Sequence, residues 1–229
     1  MSAPPPVITV DGPSGVGKGM VTRGLMQRFP GWHRLDSGAL YRILALAAMR
    51  AGLDLGDPDA VAALAPRLDI HFGGSSEDDE SIRLDGVEIV DQVRSETAGG
   101  LASKIATAPV VRDALLQRQR DFRQAPGLVA DGRDMGTVVF TDAAVKIFLT
   151  ASPEERARRR AKQLSARGEV VRLADLSAEI RARDERDRTR AVAPLVPAPD
   201  AIEIDTSSLN PAQVFERIDE LLKTRGLLR

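Results

Sequence analysis

A chain of 229 residues, 43% hydrophobic and 28% charged, suits one globular domain with small inserts and can bury an ordinary core. A net charge of −1 and a pI near 6.2 argue against a protein that coats nucleic acid through bulk charge. With no cysteine there is neither a disulfide framework nor thiol catalysis. No charged, apolar leader opens the sequence, and no run approaches the roughly 18 apolar residues a membrane span needs, so a soluble cytoplasmic protein is expected.

In chain order, Val7-Ile8-Thr9-Val10 is a β-branched run that ends in a glycine-rich turn, as a buried strand would. A helix is expected over Lys18–Arg28, broken by Pro30-Gly31, then a short strand at His33–Asp36. Helices follow over about Ala39–Ala51 and Asp57–Leu64, the latter with Pro58 in its first turn. Between Leu68 and Val93 the pattern changes. Asp69–Phe72, Ser81–Leu84 and Val87–Val90 alternate around an acidic, glycine- and serine-containing turn and the pair Asp85-Gly86, which predicts a small antiparallel meander.

Helical patterns resume over Glu96–Ala106 and Val110–Arg123. Leu128-Val129-Ala130 and Val145–Leu149 read as central strands, and Ser152-Pro153-x-Glu155 as a capping box. An arginine-rich helix follows, broken near Gly168, then a charged helix over Leu176–Arg190. Ala201–Asp205 is a fifth strand, and Asn210-Pro211 opens the last helix. Five short apolar strands interleaved with helices predict an α/β domain with a parallel sheet. His33, His71 and Trp32 are read as structural.

The most specific local signal is Gly12-Pro13-Ser14-Gly15-Val16-Gly17-Lys18-Gly19, set between a strand and a helix. Its glycines let backbone amides converge on phosphate oxygens at the positive end of a helix, and Lys18 adds a mobile point charge. The pattern departs at one place. Gly19 stands where Ser or Thr would offer a hydroxyl to Mg²⁺, and Met20 removes it from the next position too. The metal is therefore expected to be held by phosphates and water, with Asp131 assisting, since Mg²⁺ keeps several waters.

A triphosphate loop alone leaves hydrolysis, switching and transfer open. In an open parallel sheet, ligands sit beyond the carboxyl ends of the strands. The segments Asp36-Ser37-Gly38-Ala39-Leu40-Tyr41-Arg42 and Asp131-Gly132-Arg133-Asp134-Met135-Gly136-Thr137 both follow expected strands. Of the 32 basic residues only five are lysine and the other 27 arginine, so a single arginine counts only through its placement.

Together with Arg183-Asp184-x-Arg186-Asp187-Arg188-x-Arg190-x-x-x-Pro194-Leu195, these segments resemble the bacterial cytidylate (CMP) kinases, nucleoside monophosphate kinases of the P-loop class. The resemblance runs from about residue 6 into the last helix. It implies a single kinase domain: a five-stranded parallel core over about 6–66 and 97–229, a monophosphate-binding insert of antiparallel β structure over about 67–96, and a helical lid over about 152–190. The implied reaction is transfer of the ATP γ-phosphoryl to the 5′-phosphate of CMP or dCMP, with Mg²⁺, by a monomer that uses neither nucleic acid nor membrane.

Position by position, the resemblance implies that Arg42 and Arg133 clamp the acceptor phosphate with Ser37 and Tyr41 nearby. Ser103, Arg112 and Asp134 would read the base, while Arg183 and Asp187 hold the ribose hydroxyls and Arg190 reaches phosphate. Residues 12–20 would bind ATP together with Arg156 and Arg160, which share a face at i, i+4. Positions 183, 187 and 190 also share a face of one helix, although Glu179–Arg183 and Arg183–Asp187 are equally ordinary surface pairs. A kinase for UMP, TMP or a metabolite hydroxyl, a nucleotide-dependent switch and an RNA-binding protein are the alternatives.

Overall fold

The computed structural model describes residues 3–73, 81–166, 168 and 170–228. The acidic turn expected between Phe72 and Ser81 falls on residues 74–80, outside the described residues. The chain divides into two compact units, Met1–Leu35 with Arg123–Arg229 and Asp36–Phe122.

The first unit is built on a five-stranded parallel sheet in the order β2-β6-β1-β7-β8: β1 (Val7–Asp11), β2 (His33–Asp36), β6 (Leu128–Gly132), β7 (Val145–Thr150) and β8 (Ile202–Asp205). Central β1 is buried at all five positions, flanked by β6 and β7 with the registers Asp11↔Gly132 and Asp11↔Phe148. A parallel strand buried on both faces needs an apolar run rather than alternation, and Val-Ile-Thr-Val supplies it. Around the sheet lie α1 (Lys18–Arg28), α7 (Pro153–Ala166), α8 (Leu173–Arg188) and α9 (Pro211–Thr224).

Helix α9 starts with a full capping box, Asn210 accepting from Gln213 N at 3.0 Å and Gln213 returning the bond to Asn210 N at 3.0 Å. Its stripe Val214, Ile218 and Leu222 packs with Leu25 of α1 and with Ile8, Val10 and Val129 of the sheet. At the start of α7 the box is half formed. Ser152 Oγ accepts from Glu155 N at 3.2 Å, but the Glu155 carboxylate faces Arg158 and Arg159 instead of the helix start.

The second unit has its own core. Helix α2 (Ser37–Arg50), capped by Asp36 through Ala39 N at 2.9 Å, turns Leu40, Ile43, Leu44, Ala47 and Ala48 inward. With it pack α3 (Pro58–Leu64), α4 (Val90–Arg94), α5 (Glu96–Ile105), α6 (Pro109–Arg120) and the antiparallel sheet β3 (Ile70–Gly73), β4 (Ser81–Leu84), β5 (Val87–Glu88). This unit is wider than the 67–96 insert because α2, α3, α5 and α6 share one hydrophobic cluster with β4 and α4.

One local expectation is corrected. The strand expected over Val87–Val90 stops at Glu88, where Ile89 N closes the ladder on Ile82 O at 2.8 Å. The chain then turns into α4, because Ile89 and Val93, at i and i+4, are both buried. After β6 the chain forms a single π-helical turn, Met135–Val139.

Leu25 is fully buried where α1, α9 and the sheet meet. Leu25→Ala is predicted to cost about 2–5 kcal/mol, read as a lowered midpoint in urea denaturation with an unchanged m-value.

Candidate active site

The phosphate loop begins at the carboxyl end of β1. Gly12 sits at φ 146°, and a Cβ there would lie 2.3 Å from Leu149 O, so no other residue fits without moving β7. Gly17 adopts a left-handed conformation directly before Lys18 and α1.

The loop's carbonyls are engaged by side-chain and backbone donors. Lys18 Nζ donates to Gly12 O and Pro13 O, both at 2.9 Å. Arg156 Nη1 donates to Ser14 O at 3.1 Å, Thr206 Oγ1 to Val16 O at 3.0 Å, and Val21 N to Gly17 O at 3.1 Å. With its acceptors engaged behind, a loop of this form presents amides, the arrangement that attracts an anion.

Lys18 is buried, and burial, followed by the Arg133 guanidinium, pushes its ammonium down to about 7; Asp131 acts the other way and Arg183 adds to the depression. The shift thus records which groups share this corner of the first unit. Arg133, at the end of β6, donates from Nε to Asp187 Oδ2 at 2.9 Å. Burial would raise the Asp187 carboxyl, but Arg133, Arg190 and Arg183 outweigh it and hold it below the usual carboxylate range.

Helix α8 ends at Arg188, so Arg190 is not on its face as the i, i+7 spacing anticipated. It lies past the C-cap, its Nε folded back to Asp187 O at 3.2 Å. Lys18, Asp131, Arg133, Arg183, Asp187 and Arg190 are therefore one connected charge cluster.

The arginines of α7 are disposed differently from one another. Arg156 is 2% exposed and forms a two-bond ion pair with Asp184 of α8, 3% exposed, with Nη1 to Oδ1 at 3.0 Å and Nη2 to Oδ2. Arg159 donates to Thr206 O at 2.5 Å and to Thr206 Oγ1 at 3.1 Å, reinforcing the group that holds Val16 O. Half-buried Arg160 reaches Gln163 Oε1 at 3.1 Å, and Arg158 turns outward to Glu155. Two arginines thus brace the loop from behind.

Within the second unit, buried Ser37 donates to Gln119 Oε1 at 2.6 Å, and Tyr41 lies under the Arg112 guanidinium at 5.6 Å. Arg42 donates to Val93 O at 2.8 Å, and Asp36 receives Arg94 at 2.7 Å. Ser103 and Arg112 are buried as well, Arg112 reaching Ala106 O at 3.4 Å.

Oxygen donors for a cation near the loop are sparse. Thr22 Oγ1 is spent on Lys18 O and Gly19 O at 2.9 and 3.1 Å, and among the described residues no three acidic or imidazole groups cluster. Asp131 is close enough to Lys18 to favour its charge. A single carboxylate fits Mg²⁺ held chiefly by phosphate oxygens and water.

Reading the sequence missed Asp11, Asp184, Arg159 and Thr206. Asp11, buried at the end of β1, accepts from Met135 N at 2.9 Å and Gly136 N at 2.8 Å, and burial pushes its carboxyl up to about 7 against those two amides. An acid closing a β-branched run just before a glycine loop was the available signal. The others have none in the local pattern.

The family profile described as "Cytidylate kinase" matches residues 8–224. The cytidylate kinase of Stutzerimonas stutzeri strain A1501 is 58% identical over 228 residues, covering 99% of both chains. Those of Pseudomonas entomophila strain L48 and Pseudomonas putida strain W619 are 56% and 55% identical over 229 residues, covering 100% of each. Among the described residues, no helix is long and apolar enough to cross a membrane.

Removing one member of a buried ion pair strands the other in a low-dielectric interior. Asp184→Ala is predicted to cost about 3–5 kcal/mol, measured by urea denaturation, while Glu155→Ala on the exposed side of α7 should stay within about 1 kcal/mol.

Proposed function

The chain belongs to the cytidylate kinase family, and we propose that it moves the γ-phosphoryl of ATP in line onto the 5′-phosphate of CMP or dCMP. It is an enzyme, a nucleoside monophosphate kinase acting on CMP. The observation that carries the mechanism is the cluster of Lys18, Arg133, Arg183 and Arg190 beside a loop whose carbonyls are tied back.

In this reading backbone amides of the loop, Pro13 excepted, cradle the β- and γ-phosphates, and Lys18 exchanges Gly12 O and Pro13 O for phosphate oxygens. An acceptor phosphate oxygen attacks the γ-phosphorus, the bond to the β–γ bridging oxygen breaks, and ADP departs. The acceptor phosphate is already ionised at neutral pH, so no general base is needed. Positioning and charge neutralisation do the work. Arg133 holds the acceptor phosphate, with Asp187 fixing its guanidinium from the other side. Asp134, Arg183, Asp187 and Arg190 of the first unit, and Ser37, Tyr41, Arg42, Ser103 and Arg112 of the second, are the CMP positions the family resemblance supports.

Asp131 is the residue that would help hold Mg²⁺, whose chemistry would be to neutralise negative charge on the phosphates. Helices α7 and α8 are the lid of this proposal; their closure excludes water, the competing acceptor. Arg156, bonded to Ser14 O of the loop, and half-buried Arg160 are the lid cations proposed to meet ATP. A cytoplasmic monomer is the setting the resemblance supports.

Two outcomes test this. Arg133→Ala should lower turnover by about 10³-fold or more while the protein stays folded; near-normal turnover contradicts the assignment. Because Lys18 sits near 7 without ligand, adjacent phosphates must raise its pKa, so the complex takes up protons above pH 7. Calorimetry at about pH 8 in buffers of different ionisation heat should show uptake, with ATP affinity weakening as pH rises.

A further inference from the structure

Asp11 is the last residue of β1 and stands immediately before Gly12, the first residue of the phosphate loop. Its two carboxylate oxygens are each used once, Oδ1 by Met135 N at 2.9 Å and Oδ2 by Gly136 N at 2.8 Å. Those amides open the π-helical turn Met135–Val139, whose N-terminal neighbour Asp134 provides no side-chain cap. A carboxylate placed there satisfies two buried donors and matches the positive end of the turn. The partner lies 124 residues away, so this is a tertiary link and not a local cap.

The turn is also wedged in place. A Cβ at Gly136 would stand 3.0 Å from Thr9 Oγ1 and 3.1 Å from Lys146 Cδ, and Met135 is fully buried. Two residues earlier is Arg133, the guanidinium that meets Asp187. On its other side, Asp11 is close enough to Lys18 to act on its charge. One side chain therefore touches the segment carrying the acceptor-side arginine while its own backbone starts the donor loop.

We propose that Asp11 is a positioning residue. Its carboxylate sets the register between the phosphate loop and the Gly132–Gly136 turn, and so the place of Arg133 relative to Lys18. It touches neither nucleotide; it acts through Arg133. The inference rests on the reading of Arg133 as a phosphate-transfer residue.

The test uses the full-length protein and two substitutions. Asp11→Asn keeps the volume but turns an NH₂ toward a backbone N–H, so one of the two bonds is lost. Asp11→Glu keeps the charge and both acceptors but displaces them by one methylene. Both are expected to bind ATP, in the absence of CMP, within about threefold of the unaltered protein. Turnover should fall by about 10²-fold, the cost of a misplacement near 1 Å, with KM for ATP much less affected than kcat.

Unchanged turnover in Asp11→Glu overturns the inference. So does a parallel loss of ATP binding, or loss of the folded state in both variants, because either assigns Asp11 to stability alone. Arg133→Ala, assayed alongside, separates the two claims. If it turns over normally, the transfer reading fails; if it is crippled while both Asp11 variants are active, the positioning inference fails by itself.

Discussion

A loop that offers its amides to phosphate must first dispose of its own carbonyls. Here Lys18, Arg156, Thr206 and α1 take the carbonyls of Gly12, Pro13, Ser14, Val16 and Gly17 in turn. Each of those donors comes from an element that the parallel sheet brings to the carboxyl end of β1. Rossmann-like crevices are reused for nucleotides for this reason: the sheet converges strand ends, and helix starts follow them. In this chain much of the bracing comes from α7 and from the segment after β8.

The same need explains the pairing of charges around the loop. Burial first, and then the charges of Arg133 and Arg183, hold Lys18 below the usual ammonium range. Asp131 and Asp187 offset part of this positive charge. The compensation is incomplete, which leaves a site whose electrostatic deficit a polyanion can fill.

Much of this was legible in the sequence where the physics is local. The bounds of Lys18–Arg28 and His33–Asp36 follow from a glycine turn, a proline–glycine break and a strand-length apolar run. Lys18, Asp131 and Arg133 could be singled out from the glycine-loop motif and from strand-end placement, whereas Asp187 came only from the family resemblance. Arg183 was ambiguous from spacing alone; its influence on Lys18 turns it toward the loop. The links between Arg156 and Asp184, and between Asp11 and Met135, span 28 and 124 residues and leave no periodic trace. Nor could the pattern tell that Arg156, sharing a helix face with Arg160, is consumed by the interior while its neighbour stays near solvent.

The most direct test of the account is ADP formation from MgATP across a panel of acceptors: CMP, dCMP, UMP, TMP and no acceptor. The account predicts rapid turnover with CMP and dCMP, much slower turnover with the others, and almost none with water alone. Comparable rates without any monophosphate, or a clear preference for an acceptor lacking cytosine, would contradict it.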